Sequence, residues 1–156
     1  MRAVINGWQS SGLISARSGD RFTVFVGQDV SLTGLNRDVP NLMGNAYSVT
    51  SCATVTTKCK NWLNFSAFSN PASGQFGSVK KNSFVGPNFV TFDTSLTRRF
   101  NFSEVANLQF RAEYFNVLNH TNFMMPASTL SNSSTFGRIT TANDPRIAQL
   151  SLKLAF

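Results

Sequence analysis

The sequence predicts an all-β fold of antiparallel strands with long loops, on three observations. The last eleven residues alternate: Ala148, Leu150, Leu152, Leu154 and Phe156 fall on one side of an extended strand, Gln149, Ser151, Lys153 and Ala155 on the other. Residues 89–100 repeat that alternation, with Val90, Phe92, Thr94 and Leu96 opposite Asp93, Ser95, Thr97 and Arg99. Only 13% of the chain is charged, against about 25% for soluble domains, yet no apolar run reaches the roughly 18 residues of a membrane helix. Alternation alone equally describes a half-buried strand of a soluble sandwich. Low charge with 15 Phe and many Ser, Thr and Asn suits a membrane barrel instead, where lipid-facing and water-facing residues average out along each strand.

The 156 residues suffice for one domain with a sizeable core. The net charge of +7 comes from scattered residues, with only Lys80-Lys81 and Arg98-Arg99 adjacent. No recognition-helix or base-stacking motif accompanies them, which argues against a nucleic-acid partner. The amino terminus, Met1 to Trp8, lacks the charged region, apolar core and small-residue cleavage site of a signal peptide. A membrane barrel therefore implies a piece of a longer exported protein.

In chain order, residues 6–27 read as one long, bulged strand or two successive strands. Trp8, Ser10, Gly12, Ile14 and Ala16 share one parity, and Phe22 to Val26 is aromatic and β-branched. Residues 28–87 are a long loop rich in turn signals such as Asn36-Arg37-Asp38, Asn70-Pro71 and Gly86-Pro87. The strand at 89–100 leads through a short polar connection to 105–118. There Leu108, Phe110, Ala112 and Tyr114 oppose Gln109, Arg111 and Glu113. Val105, Leu108, Ala112 and Phe115 also make a helical stripe that Ser103 would cap; the short connection favours a hairpin, hence strand. Residues 119–145 form a second loop, with Pro126, a Ser/Asn/Thr-rich run and Asn143-Asp144-Pro145 before the terminal strand.

Cys52 and Cys59, with six residues between them in the first loop, form a local disulfide in an oxidising compartment or remain two free thiols. Two thiols and a single distant His120 do not make a zinc set, no cofactor motif appears, and no catalytic constellation is present. The Asn-x-Ser/Thr matches at Asn64, Asn101, Asn119 and Asn132 are chance occurrences in an Asn/Ser-rich chain.

Several separated segments carry a resemblance: NGWQSSGLISARSGDRFTV, LTGLNRDVPNLMGN, NWLNFSAF, FGSVKKNSFVGP, FDTSLTRRFNFSEVANLQFRAEYFNVLNHTNF and STFGRITTANDPRIAQLSLKLAF. In this order they resemble the carboxy-terminal end of TonB-dependent receptors, closest to the large Oar-like transporters with a carboxypeptidase-regulatory-like domain. The resemblance implies that residues 1–156 are a partial barrel domain: the last four or so strands of an outer-membrane barrel of about twenty-two, with loops at 28–87 and 119–145. It implies energised uptake or export of a substrate when full length, in the outer membrane, and no enzyme activity. The implied partners are the lipid bilayer, the remainder of the barrel and plug, the barrel-assembly machinery, and TonB through the plug.

Under that resemblance, Phe156 with Leu150, Leu152 and Leu154 is the signal read by the assembly machinery. If the last strand runs towards the periplasm, 105–118 runs outward and 89–100 inward. The lumen-facing charges are then Asp93, Arg99, Arg111, Glu113 and Lys153. Arg98 falls on the lipid parity, tolerable only near the periplasmic end, and Trp8, Phe100, Tyr114 and Phe156 are candidates for interface girdles. The alternative is a small soluble or membrane β-module acting as an adhesin or carbohydrate-binding protein.

Overall fold

Alternating β-branched, aromatic and hydroxyl residues make residues 89–101 the longest strand among the described residues, and it lies inside the sheet. The computed structural model describes residues 6–48, 60–103 and 105–156. Among these residues the strands are β1 (Trp8–Arg17), β2 (Arg21–Phe22), β3 (Asn41–Leu42), β4 (Lys60–Asn61), β5 (Phe68–Ser69), β6 (Phe84–Val85), β7 (Phe89–Asn101), β8 (Asn107–Phe115), β9 (Arg138–Ile139) and β10 (Ile147–Ala155), with a 3-10 turn at Phe65–Ala67. The chain divides into two compact units: Met1–Arg17, Phe89–Asn122 and Asp144–Phe156 form the first, Ser18–Asn88 and Phe123–Asn143 the second.

The first unit is a four-stranded antiparallel meander in the order β1-β7-β8-β10. The strand alternative for 105–118 is the observed one. Ser103, which would have capped a helix, instead closes the β7–β8 turn: its Oγ accepts the Ala106 N–H at 3.1 Å, and the Phe102 N–H donates to the Ala106 carbonyl at 2.9 Å. A hydroxyl so placed satisfies a turn donor as readily as a helix donor. On the edge strand β1, a Cβ at Gly12 would lie 3.2 Å from the Phe92 ring. The ring therefore covers the bare glycine, a cross-strand device that steadies an otherwise weak position.

At the other end of β8 the chain hooks back through Asn116 (φ 51) and Asn119 (φ 50), the left-handed region that asparagine tolerates best. The Asp93 carboxylate accepts the Asn116 N–H at 2.8 Å. The Asn116 side chain spans the hook, accepting from the His120 N–H at 3.0 Å and donating to the His120 carbonyl at 2.9 Å. Asn122, only 2% exposed, pairs with the backbone of Val90 in both directions, at 2.8 and 2.9 Å. One side-chain amide thus substitutes for a neighbouring strand and satisfies both Val90 groups.

The second unit corrects the expectation for residues 22–26. Strand pairing there stops at Phe22, and Phe25 makes a lone parallel bridge to Thr129. Val24 and Val26 are 0% and 1% exposed, so their apolar character serves burial and not a ladder. Among the described residues, the stretches 28–87 and 119–145 hold the two-residue strands β3, β4, β5, β6 and β9 and the 3-10 turn, β6 pairing with β2 from outside them. With residues 22–26 they form a core of Val24, Ala46, Leu63, Ala67, Phe68, Val79, Phe84, Leu130 and Phe136, with Phe22, Val39 and Trp62 packed against it.

Aromatic edges knit that core: Phe68 meets Phe136 at 5.3 Å and Phe84 at 5.6 Å between centroids, and Phe65 meets Phe136 at 5.7 Å. Such pairs contribute about 0.5–1.5 kcal/mol each beyond the area they bury. The short polar residues answer the backbone donors that a sheet would otherwise satisfy. Asp29 accepts the N–H groups of Thr33 and Gly34, Asn41 that of Ser78, Ser78 that of Leu42, and Thr23 that of Asn82. Gly137 (φ 71) is required where the backbones cross, since a Cβ there would stand 2.5 Å from the Leu63 carbonyl oxygen.

Candidate functional site

The register of the meander sorts its side chains onto two faces. One row runs Ser10–Leu96–Ala112–Leu150, the next Trp8–Arg98–Phe110–Leu152, the last Phe100–Leu108–Leu154. With Ile14 and Phe92 they make a nearly continuous apolar face. It is open: Ile14 is 72% exposed, and Leu150, Leu152 and Leu154 are 66%, 68% and 59% exposed. The opposite face carries the rows Gln9–Thr97–Arg111–Ser151, Ser11–Ser95–Glu113–Gln149 and Arg99–Gln109–Lys153.

All five charges expected on one side, Asp93, Arg99, Arg111, Glu113 and Lys153, share this polar face by register. Among the described residues, two of them are brought together as an ion pair. Arg111 donates to Glu113 at 2.6 Å, two residues along one strand with side chains 48% and 20% exposed, a pair worth about 0.2–1 kcal/mol. Asp93 is spent on the Asn116 N–H at the hook. Lys153 and Arg99 flank Gln109 in one row.

Arg98 lies on the apolar face, as its parity predicts. Its guanidinium stands 4.3 Å from the centroid of the Phe100 ring and 5.0 Å from that of Trp8, near the end of the sheet that holds the short β7–β8 turn. Cation–π contact of this kind contributes about 0.5–1 kcal/mol at an exposed site and more when desolvated. Phe156 follows β10 at that same end and is 96% exposed. Tyr114 lies near the other end, opposite Thr94 and Ala148, so the four ring candidates divide three to one between the two ends. Cys52 and Cys59 lie outside the described residues.

Two features of the second unit were not foreseen. One is the aromatic core itself, whose trace in the sequence is the concentration of Trp62, Phe65, Phe68, Phe84 and Phe136 in stretches otherwise marked as loops. The other is a cavity of about 170 Å³ lined in part by Phe65, Phe68, Gln28 and Asn70. Beside it, the segment from Asp29 to Asp38 is tied by carboxylates. Asp38, 6% exposed, accepts the Ser31 N–H at 2.6 Å and the Ser31 hydroxyl at 2.8 Å. The Ser31 N–H holds its carboxyl below the ordinary 3.8, against the opposing effect of burial, and the hydroxyl adds to the lowering. Among the described residues, no group of His, Cys, Asp and Glu is arranged to hold a metal ion.

A family model described as an outer membrane beta barrel domain matches residues 1–149. No curated protein and no solved structure matches the chain. Four strands of nine to thirteen residues are long enough to cross a bilayer when tilted, which takes about nine to eleven, and they carry one apolar and one polar face. With that geometry and a match over nearly its whole length, the chain belongs to the outer membrane beta barrel domain family.

Proposed function

We propose that this chain is the carboxy-terminal wall segment of a TonB-dependent outer-membrane receptor of the Oar-like kind, transporting a substrate and catalysing no reaction of its own. The observation that carries the proposal is the meander with its open apolar face and with β1 and β10 as edge strands. A soluble sandwich would bury that face against a second sheet. Four strands cannot close a barrel, since single-chain barrels begin at about eight, and an unpaired edge in lipid costs several kcal/mol per backbone group. Further strands on both edges remove that cost. The polar face then looks onto the lumen, where Arg99, Arg111, Glu113 and Lys153 meet water or a plug.

In this proposal the lipid bilayer covers the apolar face, the assembly machinery reads β10 with Phe156, TonB acts only through a plug carried elsewhere in the protein, and no nucleic acid is bound. The test is to read the frame upstream of Met1 and to solubilise its whole product from outer membranes with a TonB carboxy-terminal domain as bait. A continuing frame encoding a plug and more strands, with capture by the bait, is the expected result. A frame that opens at Met1, with this chain alone inserting stably, overturns the receptor.

A further inference from the structure

The cavity in the second unit has the chemistry of a site for one neutral sugar ring. Its floor is apolar: Val26, Phe68 and Leu130 are 1%, 6% and 7% exposed. Its wall includes Phe65, whose ring meets Phe136 edge-on at 5.7 Å while the residue remains 46% exposed. The ring is also held from its own backbone, because it opens a 3-10 turn whose cap, Asn64, accepts the Ser66 N–H at 3.2 Å. A large aromatic face fixed in place and left open is better suited to a ligand than to packing.

The rim is polar and uncharged. Gln28, Ser69, Asn70 and Ser131 supply two amides and two hydroxyls, and none of the four side chains makes a hydrogen bond among the described residues. No ionisable group lines the cavity, in a chain whose formal charge is +7.

The walls are tied together. The Leu130 and Ser131 N–H groups donate to the Phe25 and Val26 carbonyls at 2.8 and 2.9 Å. Gly27 (φ +84) permits this approach, since a Cβ there would fall 2.4 Å from the Ser131 Oγ. Gln28 and Ser131 are thereby set side by side on the rim. The volume of about 170 Å³ is well below the roughly 300 Å³ at which pockets for drug-sized ligands begin. One six-membered ring is the right scale.

We infer that this cavity binds a single neutral pyranose unit, its C–H face on Phe65 and its hydroxyls on Gln28, Asn70, Ser69 and Ser131. That the sugar is also the transported substrate rests on the receptor proposed above; the binding does not.

The test uses the full chain in a zwitterionic detergent without a sugar head group, with saturation-transfer NMR on methyl α-glucoside, methyl α-mannoside and N-acetylglucosamine, and glucuronic acid as the charged control. At least one neutral sugar should receive saturation, strongest on the protons of one ring face, and glucuronic acid should receive much less. Phe65→Ala should weaken binding by about fivefold or more. Asn70→Ala, at an exposed residue whose removal leaves the core intact, should weaken it as well, with aromatic circular dichroism unchanged. No transfer to any neutral sugar, equal transfer to glucuronic acid, or transfer undiminished in the folded Asn70→Ala protein would each overturn the inference. None of these results bears on capture by the TonB bait, so the two proposals fail separately.

Discussion

Leu150 offers the sharpest test of which face meets lipid. From the end of β10 at Ala155 back to Leu150 is five residues, about 17 Å along an antiparallel strand at roughly 3.4 Å per residue. Tilted by about 40°, that is a height of about 13 Å, the middle of an apolar band about 25 Å tall. Leu150 is 66% exposed on the apolar face, and its row neighbours are Ala112, Leu96 and Ser10, none of them a partner for a cation. Leu150→Arg should therefore destabilise the assembled protein by about 2–4 kcal/mol, roughly 30- to 800-fold in the folded-to-unfolded ratio. Leu154→Arg, one residue from the strand end, should cost only about 0–1 kcal/mol. Ser151→Arg, on the polar face beside Arg111, should cost under about 1 kcal/mol. The assay is urea unfolding of the full-length protein in phosphocholine vesicles, followed by tryptophan fluorescence. Equal destabilisation by Leu150→Arg and Ser151→Arg, or a larger loss at Leu154 than at Leu150, would refute the facial assignment.

Deleting Phe156, or replacing Leu152 and Leu154 together by Asp, should abolish assembly of the full-length protein; normal levels in isolated outer membranes would sink the signal role. Asn122→Leu leaves the Val90 N–H and carbonyl without their side-chain partner and should cost about 1–3 kcal/mol per group, seen as a lower urea midpoint, with hydrogen exchange at Val90 accelerated. The lowered pKa of Asp38 sets a sign for acid stability. Because its folded value lies below the ordinary 3.8, its contribution is fully present above that value and is lost as pH falls through the lower folded one. Asp38→Asn should flatten the stability profile below about pH 4 while leaving its shape unchanged above; an unaltered acid limb would refute the role of the Ser31 contacts.

How much was legible in the sequence differs between the two units for one reason. In the meander each residue's environment is set by parity, and parity is a local property. The alternation of Leu150, Leu152 and Leu154 against Ser151 and Lys153 was therefore enough to separate a polar from an apolar side, and the parity of residues 89–100 put Arg98 on the apolar one; its contacts with Trp8 and Phe100 came from the structure. Helix or strand for 105–118 was tipped to strand by the short connection before it, which favours a hairpin, and the structure settled it as β8.

The second unit has no period to read. Its turn signals point to irregular backbone, but the burial of Val24, Phe68, Phe84 and Phe136 depends on segments more than 50 residues apart meeting, as when Trp62 and Leu63 donate to the Gly137 carbonyl. Phe22 to Val26 shows the cost of reading locally: its composition favours a strand, and tertiary packing uses the same valines as core.

The sequence by itself determined an antiparallel all-β class and the two faces of the strands at 89–101 and 147–155, because amphipathic alternation is written residue by residue. Only the tertiary structure decided that the apparent loops enclose an aromatic core and a cavity, because contacts between distant irregular segments leave no periodic trace in the chain.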